Sequence, residues 1–105
     1  MELKIYWTDF SKKELKKIFD YYKEIASLTI ARNIVIGITT EALKLIKNPT
    51  IGQKEEYLED SIRNYRYLVY KNYKIIYWIN EKNNTIEIFD VFDTRQNPVK
   101  MKREK

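Results

Sequence analysis

Two periodicities divide this chain. Between residues 15 and 47 apolar side chains recur every three or four positions. From residue 65 onward the chain is built of Tyr, Ile, Val, Phe and Trp in runs that alternate across a strand. A pattern of one period cannot satisfy the other geometry, so the first part commits to helices and the second to a sheet. Each has one apolar side to bury. Helices laid on one face of an antiparallel sheet bury both, which is an α+β fold.

Residues 2–7 alternate polar and apolar and suit a short N-terminal strand. Ser11-Lys12-Lys13-Glu14 reads as a capping box, with Phe10 and Leu15 placed to form a hydrophobic staple. The first helix then buries Leu15, Ile18, Phe19, Tyr22, Ile25 and Ala26 and turns Lys13, Lys16, Lys17 and Asp20 outward. A break with new cap residues falls at Ser27–Thr29. The second helix carries Ala31, Ile34, Val35, Ile38, Ala42, Leu45 and Ile46 on one stripe to about Lys47. Gly37, Thr39 and Thr40 lower its intrinsic propensity, so packing must hold it. Asn48-Pro49 stops it, because proline disfavours a helical conformation in the residue before it. The short break between the two implies an antiparallel hairpin.

Three strand runs follow: Tyr65–Tyr70, Tyr73–Asn80 and Thr85–Thr94. Their only turn candidates are Lys71-Asn72 and Glu81-Lys82-Asn83-Asn84, which predicts an antiparallel meander. A two-residue loop at Lys71-Asn72 pairs Tyr70 with Tyr73 and Arg66 with Tyr77. Arg66, Leu68, Tyr70, Tyr73, Ile75 and Tyr77 then share one face, and Tyr65, Tyr67, Val69, Lys74, Ile76 and Trp78 the other. Either face could meet the helices, since each carries one cation that can snorkel to the rim. In the third run Ile86 and Ile88 have one parity and Phe89 and Val91 the other, which places a β-bulge near Phe89–Asp90.

With 105 residues the chain has room for one core. We expect one domain over residues 1–94 and a basic tail over 95–105, where five cations face the single carboxylate of Glu104. That tail would attract phosphate backbones or an acidic protein, or would simply keep the chain soluble. The absence of Cys and His removes disulfides, thiolate zinc sites and the usual general base, so neither metal nor cofactor is expected. No apolar run approaches the ~20 residues of a membrane span, and Met1–Lys4 lacks the apolar core of a signal peptide, so the cytoplasm is the expected compartment.

Several strings stand in a fixed order: Trp7 with Phe10; Tyr22; Leu45 with Asn48-Pro49 and Gly52; Ile62-Arg63-Asn64-Tyr65-Arg66; Tyr73-Lys74-Ile75-Ile76-Tyr77; and Ile86–Ile88 leading to Val91 and Arg95. Together they resemble the RelE/ParE superfamily of toxins from bacterial type II toxin–antitoxin (plasmid stabilisation) modules. The helix–helix–Asn-Pro-x-x-Gly portion looks more like the ParE branch. The resemblance implies a cytoplasmic toxin that inhibits growth and is held silent by a cognate antitoxin. Operator DNA would be met only through that antitoxin. A member that had lost its toxicity would keep only the binding role.

For function, the resemblance offers two targets. The RelE-like branch implies a metal-independent endoribonuclease that cuts mRNA on the ribosome, and the ParE-like branch a non-enzymatic inhibitor of DNA gyrase. Attack of a 2′-hydroxyl on phosphorus needs a base, neutralisation of the phosphorane and a proton donor. By resemblance, Lys74 stands where the nucleases carry an arginine, and Arg95 where a second phosphate-binding arginine is expected; these are the catalytic candidates. The Tyr or His that often follows is missing from Gln96-Asn97-Pro98-Val99-Lys100-Met101. Arg66, Arg63, Lys100 and Lys102 are candidates for holding phosphate or target. Arg63 and Arg66 could instead pair with Glu55, Glu56, Glu59 or Asp60, and Arg95 with Asp90 or Asp93. The tyrosines could stack bases, but packing accounts for most of them.

Overall fold

A computed structural model describes residues 3–59 and 62–102. Its elements are β1 (Lys4–Trp7), α1 (Asp9–Ile25), α2 (Leu28–Lys47), β2 (Gln53–Lys54), β3 (Arg66–Tyr70), β4 (Tyr73–Asn80), β5 (Thr85–Asp93) and a closing 3₁₀ helix (Pro98–Lys102). The strands form one sheet in the order β1-β5-β4-β3-β2. β3, β4 and β5 are the expected meander, and Tyr70 pairs with Tyr73 across the Lys71-Asn72 loop as its length requires. The bulge is present: Ile76 pairs with Asp90 and Tyr77 with Ile88, leaving Phe89 as the extra residue. Two features were not foreseen. β1 runs parallel to β5, and a two-residue strand, β2, extends the far edge.

The first helix starts earlier than the capping box at Ser11 predicts. Thr8 is the cap: its Oγ1 accepts from the Ser11 amide at 3.1 Å, and its own amide donates to Ile88 O at 3.2 Å. The strand therefore hands the chain to the helix within one residue, and Phe10 lies inside the first turn rather than before the cap as a staple needs. Ser11 is fully buried and donates its hydroxyl back to Thr8 O at 2.8 Å. Ser27 caps α2 as expected, accepting from the Ile30 amide at 3.1 Å.

The helical hairpin covers one sheet face. Ile18, Ile34, Ile38, Ala42 and Leu45 from the helices meet Leu68, Tyr73, Ile75, Tyr77, Ile86, Ile88 and Val91 from the strands. Gly37 has a packing role: the Tyr70 ring lies where a β-carbon would stand, so the weak helix former is the seat of an aromatic ring. The opposite face carries a second, smaller cluster of Tyr65, Ile76, Phe92 and Met101. Met101 belongs to the 3₁₀ helix, so the basic segment folds back onto the sheet at least to that residue. Residues 103–105, the end of the expected tail, lie outside the described set, as does Asp60.

Candidate functional site

The Asn-Pro-x-x-Gly string is a joint held by two side chains. Arg66 and Tyr77 are direct cross-strand partners, and both reach into residues 49–52. The Tyr77 hydroxyl donates to Pro49 O at 2.7 Å and accepts from the Gly52 amide at 3.0 Å. Arg66 donates through Nη1 to Gly52 O at 2.8 Å and to Thr50 O at 3.3 Å. Burial raises the Tyr77 phenol above its ordinary pKa, while the Gly52 amide and the Arg66 charge pull it back. Gly52 is required here, since a β-carbon would press on the Tyr77 hydroxyl and on the Tyr67 carbonyl. Arg66, a candidate phosphate ligand, is thus fastened to backbone carbonyls on the helix side of the sheet.

Lys74 points to the opposite face. Its ammonium is 2.9 Å from Glu55 Oε2 and lies 4.1 Å from the centre of the Tyr67 ring. The lysine side chain is 19% exposed and the glutamate 1%. The other Glu55 oxygen accepts from the Tyr57 amide at 3.2 Å, and the Glu55 amide donates to Tyr65 O at 2.8 Å. A buried carboxylate is tolerable here because the Lys74 ammonium and the Tyr57 amide each serve one of its oxygens. The surrounding cleft has a volume of about 270 Å³.

Arg95 lies elsewhere. It lines a cleft of about 290 Å³ between α1 and the end of β5, with Glu14, Lys17, Tyr21 and Tyr73. Its guanidinium grips Asp93 with contacts of 2.8 to 3.2 Å, and its backbone amide adds a fourth at 2.9 Å. Of the two carboxylates considered for Arg95, Asp93 is the one it holds. Hydrogen bonding from Arg95 keeps the Asp93 carboxyl below its ordinary pKa. Asp93 therefore adds stability above the usual carboxylate range, and the gain is lost as pH falls through its depressed pKa. Because the arginine is largely exposed, solvent screens this pair. Beside it the Tyr73 and Tyr22 hydroxyls stand 3.4 Å apart, and burial first, then Tyr22, pushes the Tyr73 phenol well up.

Arg63 stacks over the Trp78 ring at 5.2 Å. Lys100 and Lys102 are exposed on the 3₁₀ helix, either side of buried Met101. The six cations singled out in the sequence divide: Arg66 lies on the helix side of the sheet and Arg95 in the cleft beside α1, while Lys74, the Trp78-stacked Arg63 and the 3₁₀ helix bearing Lys100 and Lys102 lie on the opposite face. Lys74 and Arg95 line separate clefts. No group of three or more His, Cys, Asp or Glu among those residues could hold a metal, and no helix is long and apolar enough to cross a membrane. Sequence reasoning missed Glu55 as the partner of Lys74. It also passed over Trp78, whose pairing with Arg63 across a loop leaves no local signal.

Comparison with known proteins adds to this geometry. A family model described as "ParE toxin of type II toxin-antitoxin system, parDE" matches residues 5–98. No curated protein matches. Among solved structures, the fold is similar to a chain of the chromosomal ParDE toxin–antitoxin system from P. aeruginosa, with a TM-score of 0.73 at 17% identity over 88% of this chain and 96% of that one. It is also similar to a chain of the RelBE2 toxin–antitoxin complex from Mycobacterium tuberculosis, with a TM-score of 0.63 at 16% identity over 89% of this chain and 99% of that one.

Proposed function

The chain belongs to the ParE toxin family of type II toxin–antitoxin systems, and from that premise we propose that it arrests growth by gripping a protein target, DNA gyrase, rather than by cutting RNA. The disposition of its cations carries this reading. Strand scission by a 2′-hydroxyl needs charged and proton-transferring groups converging on one phosphate. Here Lys74 is neutralised by a buried carboxylate on one face, and Arg95 is clamped by Asp93 in a different cleft. Arg66 lines a third cleft, with its Nη1 tied to the joint. A toxin that works by surface contact needs none of these groups to converge.

The partner that silences it is a cognate antitoxin. Both structural relatives are toxin–antitoxin systems by description. The helical hairpin of this chain exposes Ile25, Leu28, Ile30, Ile36 and Leu43, each between 42% and 58%. Exposed apolar side chains on the helices of a small basic protein suit a covering partner with an amphipathic, partly acidic segment. Such a segment would order on binding. Gyrase as target and an antitoxin as partner would both place the protein in the cytoplasm. Expressed alone in bacteria, the chain is expected to stop growth. Co-expression of a small acidic reading frame adjacent to its gene is expected to restore it. Healthy growth with abundant folded protein would contradict the proposal.

A further inference from the structure

We propose that the cleft formed by Ile62, Asn64, Arg66, Trp78, Ile79 and Lys82 is where the toxin grips its target, and that it takes an acidic peptide segment bearing an apolar anchor. This rests on the protein-gripping reading above and adds the place and the chemistry. The cleft measures about 570 Å³, room for one large side chain and its flanking backbone. Ile62 stands 80% exposed at its wall, the most exposed of the large apolar side chains described. An isoleucine held so far into solvent beside a tryptophan and an arginine has the composition of an interface centre.

The polar groups define the ligand. Nη1 of Arg66 is tied to Gly52 O and Thr50 O, which fixes the guanidinium plane; its Nε and Nη2 make no hydrogen bond among the described residues. A pinned guanidinium with free donors suits a carboxylate, because its orientation is set before binding. Lys82, exposed in the β4–β5 turn, supplies a second cation, and Glu81 is the one carboxylate lining the cleft. Ladder pairing of β3 with β4 ends at Arg66↔Tyr77, while β4 continues to Asn80 paired with β5. An extended acidic segment would enter the cleft beside this end of β4. Nucleic acid fits less well. Two of the apolar walls are aliphatic, and Arg63 already lies over the Trp78 ring on which a base would stack.

The test uses the full chain with Ile62→Asp and Lys82→Glu made separately, and Lys23→Glu at the hairpin end of α1 as a control of equal charge change. Growth arrest is titrated by inducer, antitoxin affinity is measured on purified protein, and binding of a 20-nucleotide single-stranded RNA is followed by fluorescence anisotropy. Both cleft variants are expected to need at least tenfold more toxin for arrest, with unfolding midpoints and antitoxin affinity unchanged, while Lys23→Glu arrests like wild type. Undiminished arrest in the cleft variants would overturn the assignment and leave the toxin reading standing. Loss of antitoxin affinity in both would overturn it in favour of the cleft as the antitoxin's seat. RNA binding by wild type that vanishes in both variants would overturn it in favour of a nucleic-acid ligand. A wild type that arrests nothing would remove both the assignment and the reading beneath it.

Discussion

Lys74→Ala is expected to cost about 3–5 kcal/mol of folding stability, read by chemical denaturation. The substitution leaves the Glu55 carboxylate, 1% exposed and tied to the Tyr57 amide, without its cation. Removing both charges should act differently. Lys74→Met combined with Glu55→Leu is expected to return most of the loss, since two apolar side chains of similar volume need no ion pair. The comparison matters for function. A simple loss of toxicity in Lys74→Ala would look like the loss of a catalytic cation, yet a partly unfolded chain gives the same result. If the double variant is stable and still arrests growth, Lys74 is a structural tie. If it is stable and inert, the cation acts on a target and the non-catalytic account is wrong.

The second large effect is expected at Tyr77. This side chain is fully buried and is the point where the sheet, the helices and the Asn48–Gly52 joint meet. Tyr77→Ala should cost about 3–5 kcal/mol, as for other large aromatic truncations. Tyr77→Phe isolates the hydroxyl. It leaves the buried Gly52 amide and the partly buried Pro49 carbonyl without this partner and should cost about 1–3 kcal/mol. Gly52→Ala presses on the same contact from the other side and should cost about 1–3 kcal/mol through overpacking. Equal stability of Tyr77→Phe and wild type would show that the joint does not depend on this hydroxyl.

What could be read from the residues is what local chemistry controls. The α2 stripe, the Ser27 cap and the stop at Asn48-Pro49 each depend on neighbours a few positions away, and each is in place, whereas the α1 stripe fails at its end, where Ile25 and Ala26, expected to be buried, are exposed. The Tyr70–Tyr73 register follows from a two-residue loop, and the bulge at Phe89 from a change of parity within one strand. The errors and omissions are non-local. β1 pairs with β5 about 80 positions away, which no periodicity announces, and that pairing supplies the Ile88 carbonyl that makes Thr8 the cap instead of Ser11. β2 has two residues, too few to show alternation.

The candidate site divides along the same line. Asp93 is two positions from Arg95 and was legible as its partner. Glu55 looked like one acid among several, and only the folded sheet brings it under Lys74. Arg66 is an arginine inside an apolar strand, which calls for an oxygen-bearing partner. It finds carbonyls rather than phosphate because the loop ending in Gly52 crosses its face of the sheet.

The most direct measurement is made on cells arrested by the wild-type chain, with DNA and message examined together. The account predicts broken or trapped chromosomal DNA, inhibition of purified gyrase in a supercoiling assay, and translated messages that stay full length by primer extension. Codon-linked cuts in those messages, abolished by Arg95→Ala while gyrase runs unimpeded, would contradict it.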